Sequence, residues 1–262
     1  MTRRRAKSAR AARRLELLWG PGERASRGPK PALSIERIVS SAIAIADREG
    51  LAALTMRRVA DEVRFTTMAL YRYVPSKDEL IDLMVDAAIG PPPSPDPGDD
   101  WESELERWAR EDLAILQRHP WLLELVARAP QGPNWFAWFE WALRALSATG
   151  LSASEMVAMV GLVDGHVRAT AQVFLGLARA EQGDGTPDAW GSGFAAALEK
   201  VIGDQRFPVL THVAASGAFD KDFAPSDNDF EFGLQRLLDG IEAYIHGRAT
   251  PQRPRRSAPR QR

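Results

Sequence analysis

The chain has 262 residues, 45% of them hydrophobic, with no cysteine and a formal net charge of −1. That length suffices for one large domain or two smaller ones with a real core. The missing thiols exclude disulfides, thiolate zinc sites and cysteine nucleophiles, and no apolar run reaches the roughly 18 residues of a membrane span.

The near-neutral total hides an asymmetry: residues 1–33 carry +8, residues 248–262 carry +6, and the rest carries −15. Basic arms on an acidic body suggest that the arms meet a polyanion. The apolar stretch Leu15–Trp19 is short and broken by Glu16, which speaks against a secretory signal and for a cytoplasmic protein.

In chain order, residues 1–33 read as a basic N-terminal arm. A short amphipathic helix is expected over Ala9–Trp19, where Leu15, Leu18 and Trp19 share a face, and Gly20-Pro21-Gly22 ends it. Residues 34–90 form the first domain. Ile35, Ile38, Val39, Ala42, Ile45 and Ala46 recur at helical spacing between Ser34, a cap, and Gly50, a stop. A second short helix follows Thr55, with Val59, Ala60 and Val63 inward, and a third runs from Thr66 to Tyr73. Ser76 and Glu79 make a capping box that opens a fourth helix to about Ile89.

Residues 91–100 (PPPSPDPGDD in its 91–100 frame) are a Pro-rich acidic linker. Beyond it, residues 101–247 show only helical periodicity. Helices are expected over Trp101–Arg118, Trp121–Ala129, Asn134–Thr149, Ser154–Gln182, Ala189–Ile202, Pro208–Ser216 and Phe230–His246, with a second capping box at Ser152 and Glu155. Residues 248–262, rich in Pro and Arg, read as a basic disordered tail. The fold class is therefore all-α: an N-terminal domain of short helices and a larger helical domain.

Three short helices with a tight link between the second and third are what a helix-turn-helix requires. Leu70 and Val74 anchor the third helix, leaving Thr67, Met68, Ala69, Tyr71 and Arg72 on its other faces. Hydroxyls there bond bases or phosphates, and Met and Ala touch thymine methyls. The stretch LTMRRVADEVRFTTMALYRYVPSKDEL, residues 54–80, resembles the TetR family of regulators, as does the first helix, Ser34–Gly50. The resemblance implies that Arg57 reaches a base or phosphate, that Thr67, Met68 and Ala69 lie at base edges, and that Tyr71, Tyr73 and Lys77 meet phosphates; Thr66, at the start of the third helix, is a further candidate DNA contact. Arg72 stands where the family often has an aromatic. Arg64 stands where the family usually has Gly, because the turn wants a left-handed residue.

Arg3, Arg4, Arg5, Arg10, Arg13 and Arg14 suit entry into an adjacent minor groove; a solvated tail is the alternative. In the larger domain, Trp135-Phe136-Ala137-Trp138-Phe139-Glu140-Trp141 puts aromatics all round one helix, so they cannot share one core. Trp108, Trp135, Trp138, Phe139, His166 and Gln172 are the candidate effector contacts, with Arg168 as a further polar group. Gly161, Gly165 and Gly176 suit a subunit interface on the long helix.

The resemblance implies a homodimer, built from that helix and the last one, that binds a pseudo-palindromic double-stranded operator. A small apolar or aromatic effector would release it. An activator or an effector-independent DNA binder is the alternative. Neither a catalytic set nor a metal-spaced group is seen, the four His being scattered, so no enzyme, metal or cofactor is expected.

Overall fold

Ser34, Thr55, Thr66 and Ser76 each do the same job. Their hydroxyls accept the backbone N–H three residues on, from Arg37 (3.3 Å), Arg58 (3.1 Å), Ala69 (3.2 Å) and Glu79 (3.4 Å). Each bond satisfies an orphan donor of a helix start, so four local signals fix where the first domain's helices begin.

The computed structural model describes residues 14–20, 32–94, 98, 100–125, 132–182, 196–219 and 227–249. Among them the chain is all-α, with no strand. Helix α1 covers residues 14–19. It is followed by α2 (Ile35–Glu49), α3 (Met56–Val63), α4 (Thr67–Tyr73) and α5 (Lys77–Ile89). The larger domain has α6 (Trp101–Arg118), α7 (Pro133–Leu146), α8 (Ala153–Gln182), α9 (residues 196–201), α10 (Pro208–Ala215) and α11 (Asp227–Ala249).

Ile38, Ile45, Val59, Leu70, Val74, Leu80 and Met84 are all fully buried and bind α2 to α5 into one core. In the larger domain, Leu105, Trp141, Leu146, Val163, Leu234 and Leu238 bring α6, α7, α8 and α11 together. The second capping box is reciprocal: Ser152 N–H donates to Glu155 Oε2 at 2.7 Å, and Glu155 N–H to Ser152 Oγ at 3.4 Å. Glu155 also receives Tyr244 Oη, at 2.7 Å, and Arg248, which ties the start of α8 to the end of α11.

Two expectations change, and a third lies partly outside the described residues. The helix expected over Trp121–Ala129 is a 3-10 segment, Pro120–Leu125; residues 126–129 lie outside the described residues. Pro120 forces His119 out of the helical region, and Trp121 Nε1 then donates to Asp47 Oδ1 of α2 at 2.7 Å. Arg248, counted with the tail, belongs to α11 because Glu155 holds it there. Helix α1 begins at Arg14 among the described residues; the expected stretch from Ala9 to Arg13 lies outside them, as do residues 189–195 and 250–262.

Arg64 sits at φ 61° and ψ 43°, in the left-handed region. Its N–H donates to Asp61 O and that of Phe65 to Ala60 O, which closes α3 in a Schellman turn. An L-residue with a side chain is strained there. We expect Arg64→Gly to raise stability by up to about 1 kcal/mol, the relief of strain exceeding the extra entropy of the unfolded chain. Arg64→Val should lower stability by about 1 kcal/mol or more, because a β-branched side chain tolerates that region worst. Urea titration of the three proteins checks the order.

Candidate DNA-reading face and internal cavity

The turn at Arg64 sets α4 across α3 and decides which of its faces is free. Leu70 and Val74 point into the core with no exposure. Among the described residues Met68 is left 73% exposed and Tyr71 42% exposed on the other side of the helix. Arg72 and Arg57 are also exposed, while Thr67, Ala69, Tyr73 and Lys77 are half-buried. Thr66 is exposed, but its hydroxyl caps α4, which makes it a positioning residue for the reading helix. Arg58 is held by Glu49 at 2.6 Å. Lys77 is the first residue of α5, where the helix dipole and free N–H groups favour an anion. One polar-aromatic, basic surface thus gathers α4, Arg57 and Lys77.

Arg3, Arg4, Arg5, Arg10 and Arg13 lie outside the described residues. Arg14, grouped with them in the sequence, is placed elsewhere. It is paired with Asp82 of α5. Leu18 follows it into the interior, and the Trp19 ring meets Phe136 at 5.8 Å. A sealed carboxylate and an apolar seam draw α1 onto the body, so Arg14 is spent inside the protein.

That interior is a cavity of about 440 Å³ bounded by α1, α5, α6, the 3-10 segment, α7 and α8. The aromatics of α7 divide as their angular spread demands. Trp138 and Trp141 are buried in the core, Trp135 and Phe139 stack at 5.3 Å and line the cavity, and Phe136 is 46% exposed beside Trp19. Trp108 of α6 also lines the cavity, its Nε1 donating to Trp138 O at 3.0 Å.

Of the other effector candidates, Trp138 is turned away and donates to Gly90 O at 3.0 Å. His166 stacks on Phe230 at 5.3 Å and its Nε2 donates to the Phe230 carbonyl at 3.0 Å. Gly233 leaves room for that ring, since a Cβ there would collide with it. His166 therefore joins α8 to α11, and Gln172 is exposed; neither borders the cavity. Arg168 does border it.

Sequence reasoning missed the cavity's acids: Asp82, Asp86, Asp112 and Asp164, against Arg14 and Arg168 as its cations. Three have partners. Arg14 pairs with Asp82, and Arg168 Nε donates to Asp164 at 2.8 Å. Asp86 Oδ1 accepts from Asn134 N–H at 2.9 Å, at the start of α7, beside Gly132, where a Cβ would strike the carboxylate. Burial nonetheless raises the Asp86 pKa, against the lowering effect of those backbone N–H groups. Asp112 Oδ2 is sealed from solvent and has no hydrogen-bond partner among the described residues. Burial, then the nearby Asp164 charge, push its pKa up to about 7, against the pull of Arg168. One signal was readable: Asp112 interrupts the apolar stripe Leu105, Trp108, Ala109, Leu113, Leu116 of α6.

An exposed basic reading helix on a capped head, joined through α5 to a body enclosing a ligand-sized cavity, is the build of a DNA-binding transcriptional regulator. Residues 38–84 match the family described as bacterial regulatory proteins, tetR family, and residues 94–245 match the tetracyclin repressor-like C-terminal domain. The chain is 43% identical over 248 residues to the HTH-type transcriptional repressor DrrR1 of Streptomyces coeruleorubidus, covering 93% of this chain and 90% of that one. Its fold is similar to apo ActR of Streptomyces coelicolor (TM-score 0.66, 29% identity, 85% of this chain and 100% of the other). It is also similar to ActR in complex with actinorhodin (TM-score 0.65, 29% identity, 83% and 99%). The chain belongs to the TetR family, and is a transcriptional regulator rather than an enzyme. Among the described residues no helix is long and apolar enough to cross a membrane, and no group of three or more His, Asp or Glu could hold a metal ion.

The raised Asp112 pKa has a sign. Between the unfolded value near 3.8 and the folded value of about 7, the folded protein holds a proton that the unfolded chain has lost. Stability therefore falls as pH rises through that window, and the loss is complete above it. Asp112→Asn should match the parent near pH 4, gain on it through pH 7 and hold a constant advantage above. That advantage should be on the order of 1–3 kcal/mol, a few degrees in Tm. Paired thermal melts across pH check it; a gap that does not widen with pH contradicts the assignment.

Proposed function

We propose that the protein is a ligand-controlled repressor that binds a pseudo-palindromic operator as a homodimer and is released by a small apolar effector. The observation that carries this is α5. Its first residue, Lys77, belongs to the DNA-reading surface, and Asp82, Val85, Asp86 and Ile89 of the same helix line the cavity. A molecule that enters the cavity therefore bears on the element that orients the reading head. It can shift the equilibrium only by its differential affinity for the DNA-competent and DNA-incompetent arrangements.

In this reading Tyr71, Tyr73 and Lys77 hold phosphates, and Thr67, Met68, Ala69 and Arg72 read base edges, with Arg57 alongside. The dimer forms through α8 and α11. Leu162 (54% exposed) and Phe232 (66%) support it as large apolar groups on those helices. Gly165 and Gly176 support it because among the described residues no atom approaches the space a Cβ would fill there, whereas Gly161 borders the cavity. Two heads so joined would meet half-sites about 34 Å apart or a multiple of that. Arg3, Arg4, Arg5, Arg10 and Arg13 of the basic N-terminal arm, residues 1–33, would add a minor-groove contact. The named relatives favour this reading, DrrR1 being called a repressor and ActR having been crystallised with actinorhodin.

The test is DNA binding to the region upstream of the protein's own gene, repeated with a ligand library; operator affinity unmoved by every ligand, with the cavity occupied, would sink the reading. Lys77→Ala should weaken binding by a similar factor on every sequence and lower the salt slope by about 0.9. Thr67→Ala should change base preference, with discrimination falling by about 1 kcal/mol or more at one position. Deleting residues 1–13 should flatten the salt slope; an unchanged slope removes the arm from the mechanism.

A further inference from the structure

The cavity's charges can be paired off one by one. Arg14 from α1 is held by Asp82 of α5, and Arg168 is held by Asp164, both on α8. Asp86 of α5 takes backbone N–H groups at the start of α7. Asp112 of α6 shares the pull of Arg168 with Asp164, which holds the Arg168 Nε, and its Oδ2 is left without a hydrogen bond among the described residues. α7 and the 3-10 segment complete that wall with uncharged groups such as Trp135, Phe139 and Leu122. A buried carboxylate oxygen without a hydrogen bond costs stability. The cavity thus offers rings to stack on and a carboxylate oxygen with no donor.

We propose that the effector is a ring-bearing apolar organic cation, such as a protonated amine on an aromatic body, and that Asp112 receives its positive charge. The proposal rests on the reading of the cavity as the effector site and adds the ligand's chemical class. Charge complementarity supports it twice over. Among the described lining residues four carboxylates face two guanidiniums, so an anionic ligand meets the larger number of like charges there. One of those acids, Asp82, is already met by a cation of the protein's own chain, Arg14. The flat faces of Trp135 and Phe139, stacked 5.3 Å apart with an 18° interplanar angle, present a planar surface to a ring system. Aromatic faces attract cations in addition to burying apolar area.

Three probes of one size separate the charge from the shape: 9-aminoacridine (cationic), acridone (neutral) and acridine-9-carboxylate (anionic). Their own fluorescence anisotropy reports binding to the full-length protein. At about pH 8 the cation should bind roughly tenfold or more tighter than acridone, with the carboxylate weakest. Asp112→Asn, checked by thermal melting to be folded, should bring the cation to within about threefold of acridone. In the parent, the cation's affinity should fall as pH drops through about 7, where Asp112 takes up its proton. Equal binding of cation and acridone, or a preference that survives Asp112→Asn, overturns the proposal. Failure of all three probes overturns it together with the cavity as a site for ring ligands. Tight, Asp112-dependent binding of the cation without any change in operator affinity upholds the charge preference and counts instead against the repressor switch.

Discussion

Leu80 and Met84 are fully buried in the head, and Val85 and Ile89, further round the same helix, face the cavity. Helix α5 must therefore satisfy two cores with its 13 residues. Its C-terminal half is fixed to α7 by polar bonds: Asp86 to the start of α7, Asn134 Nδ2 to Asp86 O at 2.9 Å, and Trp138 Nε1 to Gly90 O. A second tie runs from α2, where Asp47 takes Trp121 Nε1 and lies 2.8 Å from His119 Nδ1. These bonds couple the orientation of the head to how α7 and the 3-10 segment sit. Both also line the cavity. The elements that border the ligand-sized space are thus the ones bonded to the head.

Keeping Asp112 in that space works against folding. An asparagine would fill nearly the same volume without a charge to bury. Elsewhere the chain resolves its buried charges at close range. Glu104, 7% exposed, is bonded by Arg107 at 2.7 Å and by Trp141 Nε1, and Arg107 in turn lies over the Trp141 ring at 5.0 Å. The contrast is within one helix, two turns apart. Perturbed, unpaired acids in a cleft gather where a protein binds or reacts, and in a regulator only binding is at issue.

The head was legible because its information is local. Each cap acts over three residues, the Pro75-Ser76 break separates α4 from α5, and Arg64 announces its own left-handed turn by standing where glycine is wanted. The periodicity of α6, α8 and α11 was likewise readable, as was the surplus of aromatics on α7, although not which of them would turn inward. The cavity's electrostatics were not readable. Its six charged groups come from α1, α5, α6 and α8, and each resembles a solvated surface residue until the helices are assembled. His166 misled for the complementary reason: a polar ring on an otherwise apolar helix suggests a ligand contact, but Gly233, 67 positions away, provides its slot.

The same assembly reassigns the N-terminal segment. By charge alone Arg14 belongs with the arginines before it, but most of a short helix's stability comes from tertiary packing rather than from its own hydrogen bonds. Helix α1 exists because Asp82, Phe136 and the apolar lining receive Arg14, Trp19 and Leu18. Among the described residues it meets the body through the Arg14–Asp82 pair and a short apolar seam, whereas α5, α6, α7 and α8 are each anchored in a core. Local opening proceeds where the fewest buried contacts are lost. Of the described walls of the cavity, α1 is therefore the one whose displacement loses the fewest of them.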